Sequence, residues 1–577
     1  MRSHIPPSMG HQRWGLMVGF FLFFVMAGLI IQINLFWPTN DWGRFTDHVT
    51  YIGRGICSLL TQHSWPNMEN YFNSFASHSV RNKIFLAEVG ILSSSSLLAF
   101  ILTKTILWEP GGRKKIINVN GPTLYQNASL KTGLKLRYLK NCQRAGIAIH
   151  PDIRLSKKEA EGNLFVFGQQ GSGKSVVIKT VLDQIVNNGE IAVIYDEKRE
   201  YTELFYDPAD TILIAPWDKR SAVWDISKDL RFEEDFELIA HILVSDRTED
   251  TTWSNGARAI LAGILAVSSA NGPSNWGWQQ VVENLSLDTL SLRSALDRHY
   301  DRASRFVENE SKTTHGFIST LMTDVAWLYS LDKAWADTGK RLFSIRDWLN
   351  GKDPKIKKII IQSHPELKYV GGPLCSAMIG LMTKIVTAKP DHEAAHTWLV
   401  LDELGNLPKN DSLKEWMSIG RSKGCRTLAG TQSISQLHKT YGEHDTDTLL
   451  NLFSTVIALR CGATGGVAEY AAKAFGEAIY ERPTYSENQG QAASWQKETW
   501  QLVTPSDLVN LPQSTPQGVT GYITSSGWNA VYRLQWPYPK LNVIAKSHVA
   551  ADWLLQRSSK PTSTPLTTTR NGRLKGN

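Results

Sequence analysis

Eight consecutive residues, Gly168-Gln169-Gln170-Gly171-Ser172-Gly173-Lys174-Ser175, match G-x-x-x-x-G-K-[ST] at every fixed position. That order of residue types suits the cradling of nucleotide phosphates. Glycines let the backbone approach the anion, and the loop amides and the start of a following helix face it. Lys174 is placed to reach the β- and γ-phosphates, and the Ser175 hydroxyl to ligate Mg2+. ATP and Mg2+ are therefore the expected cofactors. A second segment, Trp398-Leu-Val-Leu-Asp402-Glu403, is an apolar run ending in two acids. Asp402 is expected to support the metal and Glu403 to polarise the attacking water as general base. Paired acids at this place mark an ATPase that hydrolyses.

These side chains need elements to hold them. Asn163-Leu-Phe-Val-Phe167 predicts a buried strand before the glycine loop, and Val176 to Val186 a helix after it. Further strands are predicted at Ile191–Tyr195, Thr211–Ala215 and Lys358–Gln362. Strands alternating with helices predict an α/β fold with a parallel sheet covered on both faces. Ligands gather at the carboxyl ends of such strands. Between about Leu230 and Lys340 the apolar spacing is helical, for example in Phe236–Val244 and Ala257–Ala266, which predicts an inserted all-α domain.

Gly420-Arg421-Ser-Lys423-Gly424-Cys425-Arg426 follows the second acidic segment, and then Thr431-Gln432-Ser433. A glutamine ending the strand beside the acids can sense the γ-phosphate, which is the role expected of Gln432. Arg421 reads either as a finger reaching a neighbouring subunit's nucleotide or as part of a solvated or DNA-facing basic loop. His392-Glu393-Ala-Ala-His396 matches the zinc-protease pattern HExxH. That site needs a helix presenting both histidines on one face. Pro390 and the strand beginning near Trp398 leave little more than one turn, so the segment reads as a solvated loop.

Trp14 to Trp37 carries no charge and is long enough to cross a bilayer. A second span is expected at about Ile84 to Trp108, with Glu88 and Lys104 near its ends and Ser93 to Ser96 able to bond back to the helix. Arg2 and Arg13 before the first span and Arg113 to Lys115 after the second place both termini in the cytoplasm. The formal charge of +8 favours anionic partners, and five scattered cysteines without a CxxC pair suit a reducing compartment. The expected division is a membrane domain at 1–112, with spans at about 14–37 and 84–108 and an external loop at 38–83. A nucleotide-binding domain follows at 113–229 and 341–556, interrupted by the insertion at 230–340. A disordered basic tail closes the chain at 557–577.

Together these residues resemble the coupling-protein family of conjugative type IV secretion systems, the TraD/TrwB type. The resemblance also covers Asp196-Glu-Lys-Arg-Glu-Tyr201, Pro216-Trp-Asp218-Lys-Arg220-Ser221 with Trp224, Gln432-Ser-Ile-Ser-Gln436-Leu, Tyr441-Gly442 and Val503-Thr-Pro-Ser-Asp507-Leu. It implies a RecA-like P-loop ATPase, assembled as a homohexamer at the bacterial inner membrane. It implies movement of single-stranded DNA, bound without regard to sequence, with a relaxase from the relaxosome toward type IV secretion channel proteins. The family's glutamine and arginine roles fall on Gln432 and Arg421. Some relatives end in a long acidic tail, whereas this chain ends in a short basic one. Two other readings stay open: a docking receptor that uses nucleotide only for assembly, and an FtsK-like DNA translocase.

Overall fold

The structure is a computed structural model that describes residues 9–31, 50, 53–54, 78–106, 117–140, 146–246, 250–270, 272, 276–336, 339–391, 396–485 and 492–559. It forms two compact units, Met1–Lys115 and Ile116–Asn577.

Among the described residues the first unit has the helices Met9–Ile31 and His78–Ile106. They pack through small residues: a Cβ added at Gly28 would lie 2.8 Å from Ile91 Cγ2, and Ser95 and Ala99 are buried. Such residues let two helix backbones approach closely. The Ser94 and Ser96 hydroxyls bond back to the carbonyls of Ile91 and Leu92. Among the described residues the apolar stretches are Met17–Ile31 and Leu86–Leu102, within the expected spans at 14–37 and 84–108. Residues 32–37 and 107–108, most of the loop at 38–83, and the cluster Arg113 to Lys115 lie outside the described residues. Among the described residues one helix is long and apolar enough to cross a bilayer, Tyr369–Thr387, and 83% of it is buried in the second unit. It is apolar because it lies inside that unit.

The second unit has the strands β1 (Ile117–Asn120), β2 (Thr123–Tyr125), β3 (Ala148–His150), β4 (Ile153–Arg154), β5 (Asn163–Phe167), β6 (Ile191–Asp196), β7 (Thr211–Ile214), β8 (Val223–Trp224), β9 (Leu342–Phe343), β10 (Lys358–Gln362), β11 (Thr397–Leu401), β12 (Cys425–Thr431), β13 (Phe453–Ala458), β14 (Glu477–Tyr485), β15 (Ala492–Gln501), β16 (Val519–Ser525) and β17 (Ala530–Trp536). Ten of them form one sheet in the order β2-β17-β16-β13-β5-β12-β11-β6-β10-β7. From β13 to β7 every pairing is parallel. Most residues of these strands are buried, as expected of a parallel sheet covered on both faces. The wholly parallel sheet expected from sequence needs correction at one edge, where β16 pairs antiparallel with both β13 and β17. β16 and β17 are joined by a turn with Gly527 at φ 83° and Asn529 at φ 50°, and a tight hairpin can join only antiparallel strands.

β8 and β9 pair in parallel and bracket a run of helices from Ile226 to Trp335. The central one, Thr252–Ser269, buries Ile260, Leu261, Ile264 and Leu265. Its glycines allow close packing: a Cβ at Gly256 would lie 2.4 Å from the Phe317 ring, and one at Gly263 2.4 Å from Leu296 Cδ2. Asp229 pins the entrance of this region. Its carboxylate accepts from Trp224 Nε1, Ser344 Oγ, Ile345 N and Arg346 N at 2.6–2.9 Å. It thereby ties the departing strand to the returning one.

The Pro216–Ser221 segment also has a local purpose. It receives the C-terminal stretch of the chain, which crosses the carboxyl edge of the sheet. Buried Asp218 accepts from Arg220 Nε at 2.9 Å and from Val549 N at 2.9 Å. Arg220 donates to Lys546 O, and Trp553 Nε1 donates to Pro216 O. Gln362, at the end of β10, bonds both Ser547 O and Thr202 Oγ1. Thr202 in turn donates to buried Asp196 at the end of β6.

Candidate nucleotide site

The glycine loop leaves β5 between two neighbouring strand ends, because Phe167 is paired with Thr431 of β12 on one side and Ala458 of β13 on the other. Gly171 (φ 75°) and Gly173 (φ 93°) adopt left-handed backbone, which residues with a Cβ enter only at a cost. Space is also short: a Cβ on Gly173 would lie 2.3 Å from Val519 Cγ1. The helix Lys174–Asn187 begins directly after, so its amino end faces the loop. Gly168 is buried and Gln170 exposed. Gln169 is held twice by Arg460. Its N–H donates to Arg460 O at 2.9 Å. With the amide oxygen turned toward the guanidinium, that oxygen accepts from Arg460 Nε at 2.9 Å and Nη2 at 2.7 Å.

Lys174 Nζ donates to Gly168 O at 2.9 Å and lies 4.0 Å from Glu403 Oε2. Ser175 Oγ is 3.4 Å from each Asp402 oxygen. Asp402 and Glu403 follow β11 and are 8% and 7% exposed. Glu403 Oε1 accepts from Thr431 Oγ1 at 2.9 Å and from Gln432 N at 3.2 Å. One carboxylate oxygen is thus fixed, and the other faces Lys174. Burial pushes the Glu403 carboxyl above the ordinary range and the Lys174 ammonium below its own. Their mutual attraction opposes both shifts.

Four of the expected residues, Lys174, Ser175, Asp402 and Glu403, therefore meet at the carboxyl ends of β5 and β11. Gln432 joins them through its backbone, with its side chain exposed. Arg421 does not join them. It is exposed on the 3-10 turn Ile419–Lys423, before the amino end of β12. The seven-residue strand β12 separates it from Thr431 by about 20 Å. Its neighbour Lys423 pairs with Asp391 at 2.6 Å. His392 to Ala395 lie outside the described residues, and His396 Nδ1 is 3.0 Å from Arg426 Nη2.

Three residues of the site escaped the sequence reading. Thr431 orients Glu403, Arg460 holds Gln169, and Lys198 lies 3.7 Å from Asp402 Oδ2. Arg460 follows the apolar run Thr455-Val-Ile-Ala-Leu459, a strand signal that would have placed it beside the P-loop.

The loop fits an anion. The Ser172 hydroxyl is buried without a hydrogen-bond partner, and the space beside left-handed Gly171 is open, with nothing within 4 Å of a Cβ built there. Residues 147–528 match the family described as "Type IV secretion-system coupling protein DNA-binding domain". The chain belongs to this family. Coupling protein TraD of Escherichia coli strain K12 is 25% identical over 560 residues, covering 92% of this chain and 76% of TraD. Conjugal transfer protein TraG of Rhizobium radiobacter is 22% identical over 290 residues, covering 47% of this chain and 44% of TraG. The fold of this coupling protein is similar to that of unbound conjugative coupling protein TrwBdeltaN70, with a TM-score of 0.65, 22% identity, and 76% and 97% of the two chains covered. TrwB in complex with ADP and Mg2+ gives a TM-score of 0.63 at 21% identity, covering 77% and 99%.

Removing the lysine tests this site most simply. Lys174→Ala is expected to weaken binding of a fluorescent ATP analogue by about 2–3 kcal/mol, or roughly 30- to 150-fold. The melting temperature should stay within a few degrees, because the loop's left-handed turns depend on glycine.

Proposed function

We propose that this coupling protein hydrolyses ATP at the P-loop and uses the energy to move single-stranded DNA, with its attached relaxase, toward a type IV secretion channel. The observation that carries the reading is the meeting of two pairs in a partly buried site, Lys174 at 4.0 Å from Glu403 and Ser175 at 3.4 Å from Asp402. Residues 168–175 bind the phosphates. Ser175 and Asp402 supply hard oxygen donors that would hold Mg2+, which would neutralise phosphate charge when bound. Glu403, with one oxygen fixed by Thr431, takes a proton from the attacking water through the other. Gln432 shares Glu403 through its amide, so a γ-phosphate touching its side chain shifts the strand end of β12. Arg421, at the opposite edge of the sheet, serves a neighbouring subunit's site in a homohexamer.

Membrane attachment is supported by the exposed apolar faces of Met9–Ile31 (Leu22, Phe23, Met26) and His78–Ile106 (Leu86, Leu97, Phe100). In water such faces would be costly. In this reading both helices cross the inner membrane, and the termini and the second unit are cytoplasmic.

The test is ATP hydrolysis by the full chain and by the unit 116–577, with and without single-stranded DNA of mixed sequence. Several-fold stimulation by DNA in both supports a DNA motor. Hydrolysis indifferent to DNA would favour a docking receptor that uses nucleotide only for assembly.

A further inference from the structure

The positive charge of the chain is concentrated in one place. Residues 113–158 contain eleven Lys and Arg and a single acid, Asp152, a surplus larger than the +8 of the whole chain. This stretch directly follows the second apolar helix in sequence. One side of its helix, Leu130–Lys140, packs on the sheet. Gly133 sits against the Tyr125 ring, where a Cβ would lie 2.3 Å from Cγ. Arg137 lies 3.6 Å over the Trp528 ring and bonds Glu159 at 3.1 Å. Glu159 also accepts from Trp528 Nε1 at 2.6 Å and from Ser156 N, so its charge is engaged inward. The outward side carries exposed Lys131 and Lys135 beside Leu136 and Tyr138, which are 47% and 69% exposed. Exposed Lys157 and Lys158 follow on the segment that Arg137 ties to the helix.

Lysines mixed with exposed aliphatic and aromatic groups on a convex helix suit an anionic bilayer surface. The charges meet headgroup phosphates, and the apolar groups enter the interface. Single-stranded nucleic acid is less well matched, because its binders offer a groove that tracks the backbone. We propose that the outward face of Leu130–Lys140, with Lys157 and Lys158, is a docking surface for anionic phospholipid headgroups that seats the ATPase unit on the membrane. This rests on the reading of the two N-terminal helices as membrane-embedded.

The experiment reconstitutes the full chain in nanodiscs of phosphatidylcholine, with or without phosphatidylglycerol, and labels lysines with an acetylating reagent read by mass spectrometry. Labelling of Lys131, Lys135, Lys157 and Lys158 is expected to fall at least about threefold in the anionic discs. Exposed Lys439 and Lys473 should not change. High salt, or the double variant K131E/K135E, should restore labelling of Lys157 and Lys158. Equal labelling in both discs overturns the proposal. So does protection by added single-stranded DNA but not by anionic lipid, which would make the face a nucleic-acid surface. A chain that never enters discs would refute the membrane-embedded helices instead. The docking surface is then judged by co-sedimentation with phosphatidylglycerol vesicles, and loss of that binding in K131E/K135E sustains it, whereas no binding overturns it.

Discussion

Glu403→Gln is expected to cut ATP hydrolysis by roughly 10²- to 10⁴-fold, the usual contribution of a positioned general base, while nucleotide affinity changes little. The amide has nearly the shape of the carboxylate, and Thr431 Oγ1 and Gln432 N can still donate to its oxygen. What is lost is the proton acceptor on the oxygen facing Lys174. The pH dependence gives a second, independent reading. The base works only when deprotonated, and burial raises the Glu403 pKa above that of an ordinary glutamate. The rate of the native chain should therefore decline as pH falls through a value above 4.5, and the residual rate of Glu403→Gln should lack that limb. Steady-state rates from pH 5 to 9, beside binding of a fluorescent nucleotide, check both. A variant that hydrolyses within a few-fold of the native rate would remove Glu403 from the chemistry.

Asp229→Ala is expected to destabilise the second unit by about 4 kcal/mol. Three buried donors, from Trp224, Ser344 and Ile345, and the part-buried Arg346 N converge on one carboxylate. Removing it leaves all four without a partner in a site where Asp229 itself is 0% exposed. Burial pushes the Asp229 carboxyl upward, and the four donors pull it back. Asp229→Asn should recover only part of the loss, since its amide N–H groups would face two of the donors. The readout is the denaturant midpoint of the unit 116–577 followed by tryptophan fluorescence, with Trp224 and Trp278 close to the site. A shift no larger than that of a surface substitution would show that the helical region is not held through this carboxylate.

The two predictions differ in how visible their residues are in the sequence. Glu403 is legible because its setting is local: an apolar run that ends in acids is already a strand delivering them to one edge. Asp229 sits in an ordinary-looking Ser-Lys-Asp-Leu stretch. Its partners lie up to 117 residues away, beyond the reach of any periodicity.

The same division holds for the whole site. The glycine loop is written locally, since only glycine accepts left-handed backbone with no room for a Cβ, and G-x-x-x-x-G-K-S is a complete chemical unit. The buried strands are legible as unbroken apolar runs, because a parallel sheet wets neither face. The N-terminal apolar helices and the basic stretch after them are likewise properties of consecutive residues. Strand order is different. That β11 pairs with β12, and that β5 lies between β12 and β13 some 260–290 residues later, is decided by how the strands pack; the first brings Thr431 to Glu403 and the second Arg460 to Gln169. Packing also places Lys198 beside Asp402, carries Arg421 to the far edge of the sheet, and lays the C-terminal stretch over Asp218. A sequence specifies which faces must be buried and which backbone turns are affordable; which distant strand ends become neighbours is settled only when those faces find one another.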